Sequence, residues 1–133
     1  MSWDIFVQDI PPNARSVAEI SADFTPEPIG NRIDIIARIT EAVPTADFSD
    51  PTWGRIESDQ YSIEVNIGEA DPVRSFALHV RGGVAAADLV ADILDNLGLR
   101  AFDLEAPTGI FDRDTARASM AQWRNYRDQA LEQ

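Results

Sequence analysis

The stretch SFALHVRGG, residues 75–83, holds the only histidine of the chain, with an arginine two positions later. Side chains of an extended strand alternate between faces, which puts His79 and Arg81 together and Phe76, Leu78 and Val80 opposite them. In the preceding stretch, YSIEVN, Glu64 and Asn66 take the polar side and Tyr61, Ile63 and Val65 the apolar side. If the two stretches pair as a hairpin, Glu64, Asn66, His79 and Arg81 share one patch. An imidazole beside a carboxylate can move a proton, and an arginine can hold a carboxylate by paired hydrogen bonds. That patch defines one functional reading: a small enzyme or ligand-binding protein working on an open sheet face. The plainer reading is cross-strand charge pairing worth a few tenths to about 1 kcal/mol per pair. No nucleophile or second metal ligand lies near the histidine in sequence.

The other motifs narrow the chemistry. Gly82-Gly83 leads from the histidine stretch into a helical pattern, but RGGVAAADLV has neither the phosphate-loop spacing nor the dinucleotide fingerprint. A tight turn with permissive dihedrals explains the pair. Asp47 and Asp50 are three apart, and Glu57 and Asp59 two apart. A calcium loop needs more oxygen ligands at closer spacing, and a transition-metal site needs more imidazole or thiolate than one histidine supplies. Neither a metal nor another cofactor is expected. Asp88, Asp92 and Asp95 fall at i, i+4 and i+7, an acidic ridge on one helix with no basic residue between Val84 and Leu97. Like charges so spaced cost a few tenths of a kcal/mol per pair. The ridge is either a by-product of composition or a docking surface for a basic partner, together with Glu57 and Asp59. No catalytic residue is assigned.

These groups are positioned by a regular alternation of elements. WDIFVQDI opens as a strand with Trp3, Ile5 and Val7 on one face and Asp4, Phe6 and Gln8 on the other. Four prolines in the next twenty residues make a crossing loop, with one helical turn at SVAEI. Asn31 is placed to cap a first helix carrying Ile35, Ile36, Ile39 and Val43 at helical spacing, with Asp34 to Arg38 as an i,i+4 pair and Pro44 as its stop. WGRIES, QYSIEVNIG and VRSFALHVR then read as a meander of three strands. A second helix runs from about Val84 to Leu97, ending at Gly98 in a Schellman stop with Leu99 packed back on Leu94. AFDLEA is a further strand. Asp112 or Asp114 caps a last helix with a stripe of Ala116, Met120, Trp123 and Ala130 or Leu131. Its arginines either neutralise the acidic body or pair with it across a homodimer.

The order β-α-β-β-β-α-β-α contains the split βαβ arrangement of ferredoxin-like folds once one strand and the terminal helix are set aside. An α+β domain is expected over residues 1–133, with an antiparallel-rich sheet and two helices on one face. The last helix is expected against an end of the sheet or across part of its other face. The net charge is −12 and all eleven basic residues are arginine. Residues 1–71 hold fourteen acids against four arginines, and residues 72–133 nine against seven. Such a field repels nucleic acid and anionic membrane and attracts cationic partners at low salt. With no cysteine, disulfides and thiolate chemistry are excluded. The N-terminus shows no basic-then-apolar secretory pattern, which makes a cytoplasmic protein the expectation.

The stretches WDIFVQDIPP, SDPTWGRIESDQYSIEVNIG and SFALHVRGG, followed by ILDNLGLRAFD, resemble a set of small uncharacterised bacterial proteins. That resemblance implies the α+β make-up and carries no site residues. In size, acidity and α+β make-up the chain is also similar to immunity proteins that neutralise cationic bacterial toxins. The −12 charge and the aspartate ridge make a non-catalytic, acidic protein-binding module the leading function, and this likeness implies an immunity type for it.

Overall fold

Period-two alternation of apolar and polar residues turns five short stretches into one antiparallel sheet. The computed structural model describes residues 2–131. In chain order the elements are β1 (Trp3–Gln8), a 3-10 turn at Val17–Glu19, α1 (Arg32–Ala42), β2 (Trp53–Glu57), β3 (Tyr61–Asn66), β4 (Ser75–Gly82), α2 (Val84–Leu97), β5 (Arg100–Asp103) and α3 (Arg113–Leu131). The strands lie side by side as β2-β3-β4-β1-β5, every neighbouring pair antiparallel. β1 and β3 are therefore parallel with β4 between them, and β4 and β5 are parallel with β1 between them. Each pair is joined through a helix. This is the ferredoxin-like topology, with β2 added as an outer edge strand and α3 as a C-terminal helix.

One face of the sheet is apolar except for the buried Asp103 of β5. Trp3, Ile5, Val7, Ile56, Ile63, Val65, Phe76, Leu78 and Val80 are buried there in one cluster with Ile35 and Ile39 of α1, Val43 just after it, and the apolar side of α2. Each such side chain contributes about 1.5–3 kcal/mol when fully buried. The helix ends follow local chemistry with one substitution of partner. Asn31 occupies the N-cap of α1, yet its side chain makes no capping bond. The acceptor comes from the β3–β4 loop instead, where the Asp71 carboxylate receives the Arg32 backbone N–H at 3.1 Å. The expected Asp34–Arg38 pair does not form. Arg38 instead exchanges hydrogen bonds with Asn96, whose side-chain amide donates to the Arg38 carbonyl at 2.6 Å, tying the C-terminal ends of α1 and α2. α2 stops as its sequence dictates: Gly98 is left-handed, and Leu99 N–H bonds the Leu94 carbonyl while Gly98 N–H bonds that of Asp95.

The last helix departs from expectation. α3 lies beside α2 in the same helical layer, neither at an end of the sheet nor across its other face, and Ala116, Met120 and Trp123 join the principal buried cluster. Asp112 caps it, accepting the Asp114 N–H at 2.8 Å. The reason α3 shares this layer is that β5 extends the apolar face beyond α2. Trp3 and Ala101 would be left uncovered there without a third helix. Burial stops at Trp123; Ala130 and Leu131, placed on the apolar stripe by spacing alone, are exposed. The Asp114–Arg117 and Arg124–Asp128 pairs that helical spacing suggests do not form; Arg113 and Arg117 reach across to α2 instead and bear directly on the acidic ridge.

Candidate functional site

With three helices on one side, the other face of the sheet is left open across β2, β3, β4 and β1. At β5 it is partly covered, because Ile10, Ala14 and Ile110 form a second small cluster against Phe102. Strand register sets the contents of the open face row by row. One row runs Arg55–Glu64–His79–Asp4 across four strands, and the next runs Trp53–Asn66–Ala77–Phe6.

The four residues singled out by alternation do meet here. Arg81 reaches Glu64 at 3.4 Å, Glu64 lies opposite His79, and Asn66 lies one row away opposite Ala77. A fifth residue, Asp4, completes the group. Its Oδ1 is 2.8 Å from His79 Nδ1 and also accepts a hydrogen bond from the Ser2 hydroxyl. A carboxylate at that position makes Nδ1 the protonated nitrogen and leaves Nε2 as the ring's free acceptor. Trp53 stacks on the imidazole, with centroids 6.0 Å apart. Alternation places Asp4 on the polar side of β1, but β1 and β4 are seventy residues apart in sequence and no local signal pairs them. The Asp4–His79 arrangement can accept a proton at Nε2. Among the described residues no hydroxyl donates to that atom, so the dyad has no attached nucleophile.

A groove of about 480 Å³ lies beside this group and is not centred on it. It is lined by Phe6, Ala77 and Phe102 together with the polar side chains of Gln8, Asn66 and Ser75. Within the described residues the side chains of Gln8, Asn66 and Ser75 make no hydrogen bond.

The acidic ridge of α2 is bridged from its own chain. Arg113 spans Asp92 at 2.8 Å and Asp95 at 2.7 Å, and Arg117 holds Asp88 through two nitrogens, at 3.1 and 2.9 Å. Hydrogen bonds to Asp92 and Asp95 raise the pKa of Arg113 above the usual guanidinium range, and those to Asp88 raise that of Arg117. All these groups face water, so the pairs are screened and hold α3 against α2 only modestly. Two guanidiniums against three carboxylates leave one surplus charge on the ridge. The i, i+4, i+7 repulsion read from α2 is thus answered by α3, a partner invisible within the helix itself.

Other carboxylates have no such cover. Asp47, Asp50, Glu57 and Asp59 are exposed along β2 and at its ends, with Arg55 as the guanidinium of that strand. None of the four is in an ion pair within 4.0 Å among the described residues. Two are held in fixed orientation by turns. Asp47 accepts from the Ser49 hydroxyl at 2.6 Å and its N–H at 2.8 Å, and Asp50 likewise from Thr52 at 2.7 and 2.9 Å. Those bonds, the hydroxyl's foremost, lower the pKa of each carboxyl below the ordinary aspartate value. Both sheet edges are also blocked to strand addition. The Asp47 backbone exchanges two hydrogen bonds with Arg55 of β2, and Ile110 bridges Phe102 of β5.

Among the described residues no group of three or more potential metal ligands gathers, and no helix is long and apolar enough to cross a membrane. Comparison of the chain with protein-family models, with curated proteins and with solved structures finds no match.

Proposed function

We propose that this protein is a non-catalytic, acidic protein-binding module of the cytoplasm, of immunity type, whose partner is basic. The observation that carries the reading is the row of exposed carboxylates on and beside β2, Asp47, Asp50, Glu57 and Asp59, standing without ion-pair partners among the described residues in a chain of net charge −12. Two of them are pre-oriented by Ser49 and Thr52, which reduces the ordering cost of meeting a guanidinium or ammonium group. Blocked sheet edges favour side-chain recognition over strand addition by the partner. The ridge Asp88, Asp92 and Asp95 belongs to the same field, with most of its charge already engaged by Arg113 and Arg117. Capture from native extract at low and high salt tests the reading. A basic partner should be retained at low salt and released at high salt. Retention should be lost in Asp47→Asn/Asp50→Asn/Glu57→Gln/Asp59→Asn and kept in Asp88→Asn/Asp92→Asn/Asp95→Asn. Absence of a salt-sensitive basic partner, or equal retention by the first variant, contradicts it.

A second reading, a small-ligand site on the open face near Glu64, Asn66, His79 and Arg81, draws support from His79 Nε2 and the polar lining of the adjoining groove, neither of which has a hydrogen-bond partner among the described residues. A thermal-shift screen with small acids and metals at several pH values addresses it. A stabilisation abolished by His79→Gln favours this reading; a flat response leaves the binding module in place.

A further inference from the structure

The open face differs from the rest of the surface in charge and in polarity. On β2, β3, β4 and β1 it carries Asp4, Glu57 and Glu64 against Arg55, Arg81 and the imidazole of His79. Within a chain of net charge −12 this is close to local balance. Phe6 is 37 % exposed on it, with Trp53 half-buried beside His79. A like-charged copy of the chain meets less repulsion here than over the uncovered carboxylates, and edge-to-edge pairing is closed off by the Asp47 and Ile110 bridges. The small cluster at β5 walls one side, so the accessible area is four strands wide and its midline falls between β3 and β4.

We infer that two copies of this chain associate face to face through this surface, about a two-fold axis running along that midline. The register alone decides the resulting contacts. A rotation about an axis parallel to the strands keeps each row over itself and reverses its order. The row Arg55–Glu64–His79–Asp4 therefore lies over its own reverse, placing Arg55 against Asp4 and Glu64 against His79 of the second copy. The row Trp53–Asn66–Ala77–Phe6 likewise sets Trp53 against Phe6 and Asn66 against the small Ala77. In the row Glu57–Ser62–Arg81, Arg81 meets Ser62 of the second copy and Glu57 lies beyond the first paired residue of β1. No like charges are stacked in any of the three rows, and each opposite-charge contact occurs twice by symmetry. A shift of the axis by half a strand spacing, onto the midline of β4, loses this match, since it sets Glu64 against Asp4. Sheets packed face to face lie about 10 Å apart with side chains interleaved, a separation that the two aromatic residues can fill. The basic partner's proposed surface, the carboxylate row at the β2 edge, borders this face and shares Glu57 with it, whereas the association turns on Arg55 and Asp4.

Sedimentation velocity of the full chain over a wide concentration range tests it, with circular dichroism confirming that each variant is folded. The wild-type chain should sediment as a dimer at high concentration. Arg55→Asp places two carboxylates face to face at both symmetric contacts and should weaken dimerisation by roughly 100-fold. Arg55→Asp combined with Asp4→Arg reverses both partners and should restore association to within about tenfold of wild type. Asp88→Asn, on the helical side, should leave it unchanged. A wild-type chain that stays monomeric throughout, a dimer indifferent to Arg55→Asp, or a charge-reversed double variant no better than Arg55→Asp each overturns the inference.

Discussion

Trp3 and Asp103 form a buried charge-assisted contact that joins β1 to β5, and it offers a quantitative test of how the sheet is held. Both residues are 1 % exposed, and the indole Nε1 donates to Asp103 Oδ1 at 2.8 Å, an oxygen that also accepts the Glu105 N–H at 3.0 Å. Asp103 Oδ2 and Trp123 Nε1 are buried without partners. Trp3→Phe removes the donor and leaves part of the indole volume empty. The hydrogen bond to a charged group is worth about 1.5–3 kcal/mol, and the cavity adds about 1 kcal/mol more. Asp103→Ala strips the buried Trp3 N–H and the partly buried Glu105 N–H of their acceptor and should cost about 3 kcal/mol, offset in part by removing a buried oxygen that has no donor among the described residues. The double variant removes the shared bond only once, so it should cost about 2 kcal/mol less than the two single losses added together. Urea unfolding of the four proteins measures this coupling, with equal slopes against denaturant confirming that the unfolded states are comparable. A coupling below about 0.5 kcal/mol would refute the claim that this bond is a distinct link between the strands.

Three other outcomes follow from the geometry. A Cβ at Gly82, where φ is +141°, would lie 2.6 Å from the Gln60 carbonyl oxygen, whereas at Gly98, with φ +65°, it would meet nothing within 4 Å. Gly98→Ala should therefore cost about 1 kcal/mol and Gly82→Ala at least about 2 kcal/mol more, measured by thermal or urea unfolding; similar losses at the two sites would contradict the close approach of β3 to β4. Carboxyl-carbon NMR titration should find Asp47 and Asp50 titrating below the ordinary aspartate range of about 3.9, and Ser49→Ala should move Asp47 back toward it without moving Asp50. Because these carboxyls have lowered folded-state values, the stability they supply is complete above the unfolded value and is lost as pH falls through the folded one. Nitrogen NMR of His79 should show the proton on Nδ1 while Asp4 is present, and Asp4→Asn should shift protonation toward Nε2; an Nε2–H form in the wild-type chain would break the proposed pair.

The sequence by itself determined the elements and the faces they present. Alternation placed Trp3, Ile5 and Val7 inward and His79, Arg81, Glu64 and Asn66 outward, and Gly98 marked the end of α2, because strand period and left-handed backbone are local properties. The meander of β2, β3 and β4 was equally legible, since short turns leave little choice of neighbour. Only the tertiary structure decided what meets across long stretches of chain. It brought Asp4 to His79 and Asp71 to the start of α1. It also laid α3 beside α2 so that Arg113 and Arg117 cover a ridge that looked unrelieved within its own helix. Those outcomes depend on which apolar faces must be covered at once, and burial of the whole sheet face, with Trp3 and Ala101 at its far side, is a property of the packed chain that no single segment contains.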